Sequence, residues 1–130
     1  MKKNNLVSIY MMPATFNALE LKPDQEVDLP TLMIIIQDCL RMNRDGRYTP
    51  EQRNGYLEKA TKLTKQQNKL LGVYFTSGID ELKKANAAIK KVKDATNQAL
   101  KDIEKTADTL EQLGALINSL TAVIGLIPKL

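Results

Sequence analysis

Apolar residues recur at alternating steps of three and four along the last third of the chain. The series contains only apolar residues and threonine, and it runs Leu82, Ala85, Ile89, Val92, Thr96, Ala99, Ile103, Thr106, Leu110, Leu113, Ile117, Leu120, Ile124, Ile127. This heptad spacing places side chains on one face of an α-helix, where they can pack against another helix. The pattern predicts one long helix over about 79–127.

An earlier helix is predicted over about 29–44. Asp28 can cap its first turn, Pro30 suits the first turn, and Gly46 marks the stop. Its apolar residues cover more than one face, so we expect a central position in the fold. They are Leu32, Met33, Ile34, Ile35, Ile36, Cys39, Leu40.

A second helix is predicted over about 50–76. Thr49, Pro50 and Gln52 form a capping-box signature at its start. It carries its own apolar repeat and is followed closely by the last helix, which favours an antiparallel, coiled-coil-like hairpin between the two.

Composition favours an all-α fold. The chain has 130 residues, enough for one domain, and aromatic residues make up only 5% with no Trp. We expect an extended or irregular segment over 1–27, packed on the helices or paired with another chain. A helical bundle domain follows over 28–130.

The last helix is predicted to outrun its hairpin partner. At about 1.5 Å per residue it would reach roughly 75 Å, against roughly 40 Å for the second helix. Its final apolar positions, here called the carboxyl-terminal ridge, therefore need cover from the first helix, the amino-terminal segment, a second copy or a different protein. The ridge consists of Leu110, Leu113, Ile117, Leu120, Ile124, Ile127.

The positions flanking the heptad seam are also apolar, for example Leu116 and Val123. A wide apolar face contacts more than one neighbour, which favours a three- or four-helix bundle, closed internally or completed by oligomerisation. A bend at Gly114 would let the last turns fold back and close a monomer.

The leading functional hypothesis is a non-enzymatic helical module that binds another protein chain through the carboxyl-terminal ridge. The partner is either a second copy or a distinct protein, as for an inhibitor, an adaptor or a secretion-associated component. The chain has no histidine, and its one cysteine, Cys39, lies in an apolar helix without an activating neighbour. We therefore expect no catalytic site, cofactor or bound metal. An enzyme that uses carboxylates alone is the weaker alternative.

Two groups of polar residues invite a metal hypothesis. Glu104, Asp108 and Glu111 have helical spacing but fall on outward positions, which predicts a solvated face. Asn43, Asp45 and Gly46 resemble part of an EF-hand calcium loop. The first and twelfth ligand positions would be Arg41 and Gln52, so this stretch predicts an Asp-Gly turn instead.

Membrane action is the alternative function. Lysines on one side of the last helix could contact anionic head groups, and the uncharged segment 114–127 could insert. Aromatic residues for base stacking are missing there, so nucleic acid is not an expected partner. The lysines are Lys83, Lys84, Lys90, Lys91, Lys93.

Localisation is expected to be cytoplasmic, with export without a cleavable signal peptide as the alternative. The basic start and short apolar run resemble a signal peptide, but Pro13 interrupts the run and no small-x-small site follows. The net charge of +4 permits an acidic partner without requiring one.

Overall fold

Four α-helices and two short strands make up the regular structure of residues 9–11, 25–75 and 79–127, which the computed structural model describes. The elements are β1 Ile9–Met11, α1 Leu29–Asn43, α2 Pro50–Leu70, β2 Val73–Phe75, α3 Asp80–Lys101, a 3-10 helix Ile103–Lys105, and α4 Thr106–Ile124. The predicted all-α class is confirmed.

The first two helices begin where the sequence predicts. Asp28 Oδ1 accepts a hydrogen bond from Thr31 N at 3.2 Å and so caps α1. At α2, Thr49 Oγ1 accepts from Gln52 N at 3.1 Å, while Thr49 N donates to Gln52 Oε1 at 2.9 Å. Both caps satisfy backbone N–H groups that have no partner inside the helix.

The second helix ends earlier than predicted, at Leu70 rather than at residue 76. Gly72 adopts a φ of 78°, a left-handed conformation that stops the helix. The β-branched and aromatic run Val73–Phe75 then forms β2, which pairs antiparallel with β1 of the same chain. Residues 1–8 and 12–24 of the predicted irregular segment lie outside the described residues.

Hydrogen bonds fix the direction of α3 relative to α1. Near the start of both helices, Asp28 N donates to Asn86 Oδ1 at 2.9 Å. Ten residues further along each of the two helices, Thr96 Oγ1 donates to Asp38 Oδ2 at 3.0 Å. Equal steps in the same direction mean that α1 and α3 run parallel.

The same reasoning applies to α2 and α4. Tyr56 Oη donates to Thr106 Oγ1 at 3.1 Å, and Gln66 Nε2 donates to the carbonyl oxygen of Ile117 at 2.9 Å. These two helices therefore also run parallel.

The helices form a four-helix bundle in which α1 and α4 each pack against both α2 and α3. The predicted hairpin between the second and third helices is wrong, because α2 and α3 occupy diagonal corners. Residues 71–79 connect these two corners, so consecutive helices need not be neighbours. Instead, α1 pairs with α2, and α3 pairs with α4.

The predicted continuous last helix is also wrong. Asp102 has extended backbone angles, φ −141° and ψ 101°, and its Oδ1 accepts from Glu104 N at 3.0 Å. After residues 102–105, here called the hinge, α4 turns back along α3. The chain does not bend at Gly114, which lies inside α4.

Side chains from the α1–α2 loop hold the hinge. Tyr48 Oη donates to the carbonyl oxygen of Ala99, and Arg47 Nη2 donates to that of Leu100 at 2.7 Å. The rings of Tyr48 and Tyr56 meet edge to face with centroids 5.5 Å apart. These contacts satisfy the last carbonyl groups of α3, where an uninterrupted helix would use its own N–H groups.

The buried face shifts between the two halves of the heptad pattern. In α3 it follows the predicted seam, Leu82, Ala85, Ile89, Val92, Thr96, Ala99. In α4 it is rotated towards the flanking positions and consists of Thr106, Thr109, Leu113, Leu116, Leu120, Val123. The rotation is possible because Leu116 and Val123 make that flank apolar as well.

Candidate functional site

The carboxyl-terminal ridge is covered mainly by the protein itself. Leu113 and Leu120 are 0% exposed, and they lie in the core with the neighbouring Leu116 and Val123. The other four ridge residues are half-buried and pack against that core, namely Leu110, Ile117, Ile124, Ile127. The fold-back of α4 thus supplies the cover for which the sequence predicted a partner.

The five lysines Lys83, Lys84, Lys90, Lys91, Lys93 are all exposed on α3. They lie on the side of the helix away from its buried seam. None of them forms an ion pair with another described residue. The five lysines therefore form a positively charged surface that has no carboxylate partner among the described residues.

The polar turn after α1 has a structural role. Asp45 Oδ2 pairs with Arg47 Nη2 at 2.7 Å, and this hydrogen-bonded pairing lowers the pKa of Asp45. Asp45 thereby orients the arginine that reaches Leu100 at the hinge.

The carboxylates of the last helix face solvent. Glu104, Asp108 and Glu111 are exposed, and Asp108 accepts from Gln112 Nε2 at 2.7 Å. Within 9–11, 25–75 and 79–127, no three acidic or cysteine side chains come together to hold a metal ion.

The cysteine lies in the core. Cys39 is fully buried, and burial, together with the nearby charge of Asp38, raises its pKa to about 12. A thiol in this state stays protonated and has no access to a reactant.

A groove of about 290 Å³ lies between side chains of α1 and α2 on the outside of the bundle. Leu40 lines it from α1, and Ala60, Thr61, Thr64 and Lys65 line it from α2. Most of this lining is aliphatic or methyl-bearing.

Exposed apolar side chains lie beyond both ends of this groove, on the same helix faces. Leu57 lies one turn before Thr61 and Met33 two turns before Leu40, so each shares a helix face with a lining residue. Leu57 is 42% exposed and Met33 is 41% exposed. We call Met33, Leu40, Leu57, Thr61, Thr64 and the floor residue Ala60 the α1–α2 groove. The sequence predicts a central α1, whereas the helix shows one side to solvent.

Positive side chains surround the groove. Lys65 lies on its α2 wall, Arg44 lies one turn beyond Leu40, and Arg53 lies one turn before Leu57. None of the three pairs with a carboxylate among the described residues. The Nε of Arg53 is buried and has no hydrogen-bond acceptor in the described part of the chain.

Within the described ranges, no helix has both the length and the apolar character needed to cross a membrane. Comparison of the chain with protein-family models, with curated proteins and with solved structures found no match.

Proposed function

We propose that this protein is a non-enzymatic helical module that binds another protein, and that the α1–α2 groove receives an amphipathic helix with acidic flanks. The single observation that carries the proposal is the groove itself, an exposed apolar channel between two packed helices with unpaired positive charge around it. The non-enzymatic part rests on the lack of histidine in the sequence and on the burial of Cys39.

The shape of the groove favours a helix as the occupant. Two neighbouring antiparallel helices leave a channel into which the apolar face of a third helix fits, with anchors at spacings of three, four and seven residues. Met33 and Leu57 are each about 40% exposed, and covering the rest of either side chain would contribute roughly 1–2 kcal/mol.

The charge around the groove favours an acidic occupant. Arg44, Arg53 and Lys65 present donors without carboxylate partners in the described part of the chain. Carboxylates flanking the apolar face of a docked helix would pair with them, and a basic helix would be repelled.

The test uses a fluorescent helical peptide of about five turns with leucines on one face and glutamates on its flanks. A matched peptide carries lysines on the flanks. Fluorescence anisotropy should show that the protein binds the acidic peptide and does not bind the basic one. The variant Lys65→Glu should weaken that binding at least tenfold, the effect of about 1.4 kcal/mol, and should improve binding of the basic peptide.

Two neighbouring residues of α1 provide matched controls for the apolar contact. Met33 and Ile34 are both 41% exposed. Consecutive residues of an α-helix are about 100° apart, so Ile34 does not share the helix face of Met33 and Leu40. Met33→Asp and Leu57→Asp should therefore reduce binding, while Ile34→Asp should leave it unchanged. Equal binding of both peptides, or equal losses from Met33→Asp and Ile34→Asp, would refute the groove as the site.

A second candidate function is attachment to an anionic membrane surface through α3. It is supported by the five exposed lysines, which have no carboxylate partner among the described residues. The proposed mode is peripheral, because insertion of 114–127 would require Leu116, Leu120 and Val123 to leave the core. Sedimentation with anionic vesicles at low salt, with dye release as a readout for insertion, tests it. Lack of binding would remove this candidate.

A further inference from the structure

The hinge interrupts a helix, and the one local stop signal it contains is Asp102, whose Oδ1 accepts from Glu104 N. Its sequence is Asp102, Ile103, Glu104, Lys105, with neither glycine nor proline. The heptad pattern passes through it in register, with Ile103 at a seam position between Ala99 and Thr106. The local sequence is thus compatible with one continuous helix over 80–124.

Contacts from another part of the chain keep the hinge closed. The carbonyl oxygens of Ala99 and Leu100 accept from Tyr48 and Arg47, which lie about fifty positions earlier in the loop after α1. In a continuous helix the same two carbonyls would accept from the N–H groups of Ile103 and Glu104. In the folded-back form the carbonyl of Ala99 also accepts from Asp102 N at 3.3 Å. Tyr48 and Arg47 thus take the places that the N–H groups of Ile103 and Glu104 would have in the straight form.

A straight helix cannot persist in an isolated molecule. Straightening would carry α4 away from α2 and expose Leu113, Leu116, Leu120 and Val123, all 0% exposed in the closed form. A second copy opened in the same way exposes the same surface of its α2 and α3, which α4 covers in the closed form. Only reciprocal exchange restores every one of these contacts.

We propose that two copies of this protein straighten their hinges and exchange α4, so that each α4 packs on the α2 and α3 of the other copy. The resulting dimer has two-fold symmetry, with helices of about 68 Å passing each other near the hinge. Ile103 explains why a new contact would form there. It is a large apolar residue that is 38% exposed in the closed form, and the dyad would bring it against Ile103 of the second copy.

The first experiment measures solution mass by light scattering after incubation at high concentration just below the melting temperature. We expect a slowly formed dimer. In Ile103→Pro the dimerisation constant should fall at least about a hundredfold, because proline strongly disfavours the interior of a helix. The closed form tolerates this proline, since Asp102 is already extended and residue 103 begins a 3-10 turn. Ile103→Ala keeps the N–H group and should reduce dimer formation much less.

A variant with the opposite effect guards against a folding defect. Combining Arg47→Ala with Tyr48→Phe removes both side-chain donors from the end of α3 and should increase the dimer fraction several-fold. Arg44→Ala, an exposed arginine of the same loop that makes no hinge contact, is the matched control.

Exchange is distinguished from ordinary association by cross-linking α2 to α4. Gln66 Nε2 and Thr121 Oγ1 lie 3.1 Å apart across α2 and α4, so a short bifunctional thiol reagent on the double variant Gln66→Cys, Thr121→Cys reports which α4 packs against a given α2. Cross-links within one chain are expected in the monomer and between chains in the dimer. A protein that stays monomeric, a dimer whose cross-links remain within one chain, or an Ile103→Pro variant that dimerises normally would overturn the proposal.

Discussion

Replacing Leu120 by alanine measures how much the folded-back α4 contributes to stability. Leu120 is 0% exposed, and removing a fully buried leucine side chain leaves a cavity whose cost is about 2–5 kcal/mol. The whole domain is expected to have a free energy of unfolding of only about 5–15 kcal/mol. The variant should therefore lose about 3 kcal/mol and unfold at a clearly lower urea concentration.

Urea unfolding followed by far-ultraviolet circular dichroism gives this difference, at a protein concentration low enough to keep the chain monomeric. Ile34→Ala is the control, because Ile34 is 41% exposed and its truncation should cost less than about 1 kcal/mol. Equal, small losses for the two variants would show that Leu120 does not lie in the core, and the packing of α4 described above would be refuted.

Three further perturbations test separate parts of the structure. Gly114→Ala should stabilise the protein by about 0.5–1 kcal/mol, because a Cβ at this position of α4 meets nothing within 4 Å; destabilisation in a urea titration would indicate a bend there. Asp28→Ala should cost about 1 kcal/mol through loss of the cap on α1, and Thr31→Val, which keeps the backbone bond, should cost less. Burial raises the pKa of Cys39 from 9.0 to about 12 and that of Tyr56 from 10.0 to about 12. The unfolded chain loses these protons first, so the free energy of unfolding should be level from about pH 6 to about pH 9 and fall as the pH rises towards 12; urea midpoints from pH 9 to pH 12 should show no fall if both groups are accessible.

Two kinds of local signal, the helix caps and the heptad period of α3, predicted the structure correctly. The caps at Asp28 and Thr49 depend on residues three positions apart, and both form as expected. The buried face of α3 also follows the heptad pattern, because a single period governs that helix from Leu82 to Ala99.

The hinge could not be predicted from the residues around it. Asp102 to Lys105 are compatible with a helix, and the donors that hold the break come from Arg47 and Tyr48, which are distant in sequence. Because the sequence did not predict the break at 102–105, the predicted topology was also wrong. The overhang of the predicted long helix, and hence the expected need for a partner along the carboxyl-terminal ridge, follows from that single error.

The α1–α2 groove was missed for a different reason. Met33 and Ile34 lie in an almost continuously apolar run, which predicts burial on all sides. The bundle surrounds α1 on only part of its circumference, so these two side chains remain exposed. Periodicity identifies an apolar face, but the number of neighbours that cover it depends on the packing of the whole chain.

The central claim is that the chain turns back at the hinge, and one distance tests it most directly. Spin labels on the exposed residues Glu81 in α3 and Ala122 in α4 report the separation of the far ends of the two helices in isolated monomer. Antiparallel neighbours have axes about 8–10 Å apart, so the labels should lie within about 30 Å of each other. A separation of about 60 Å, the value for a continuous helix, would contradict the account.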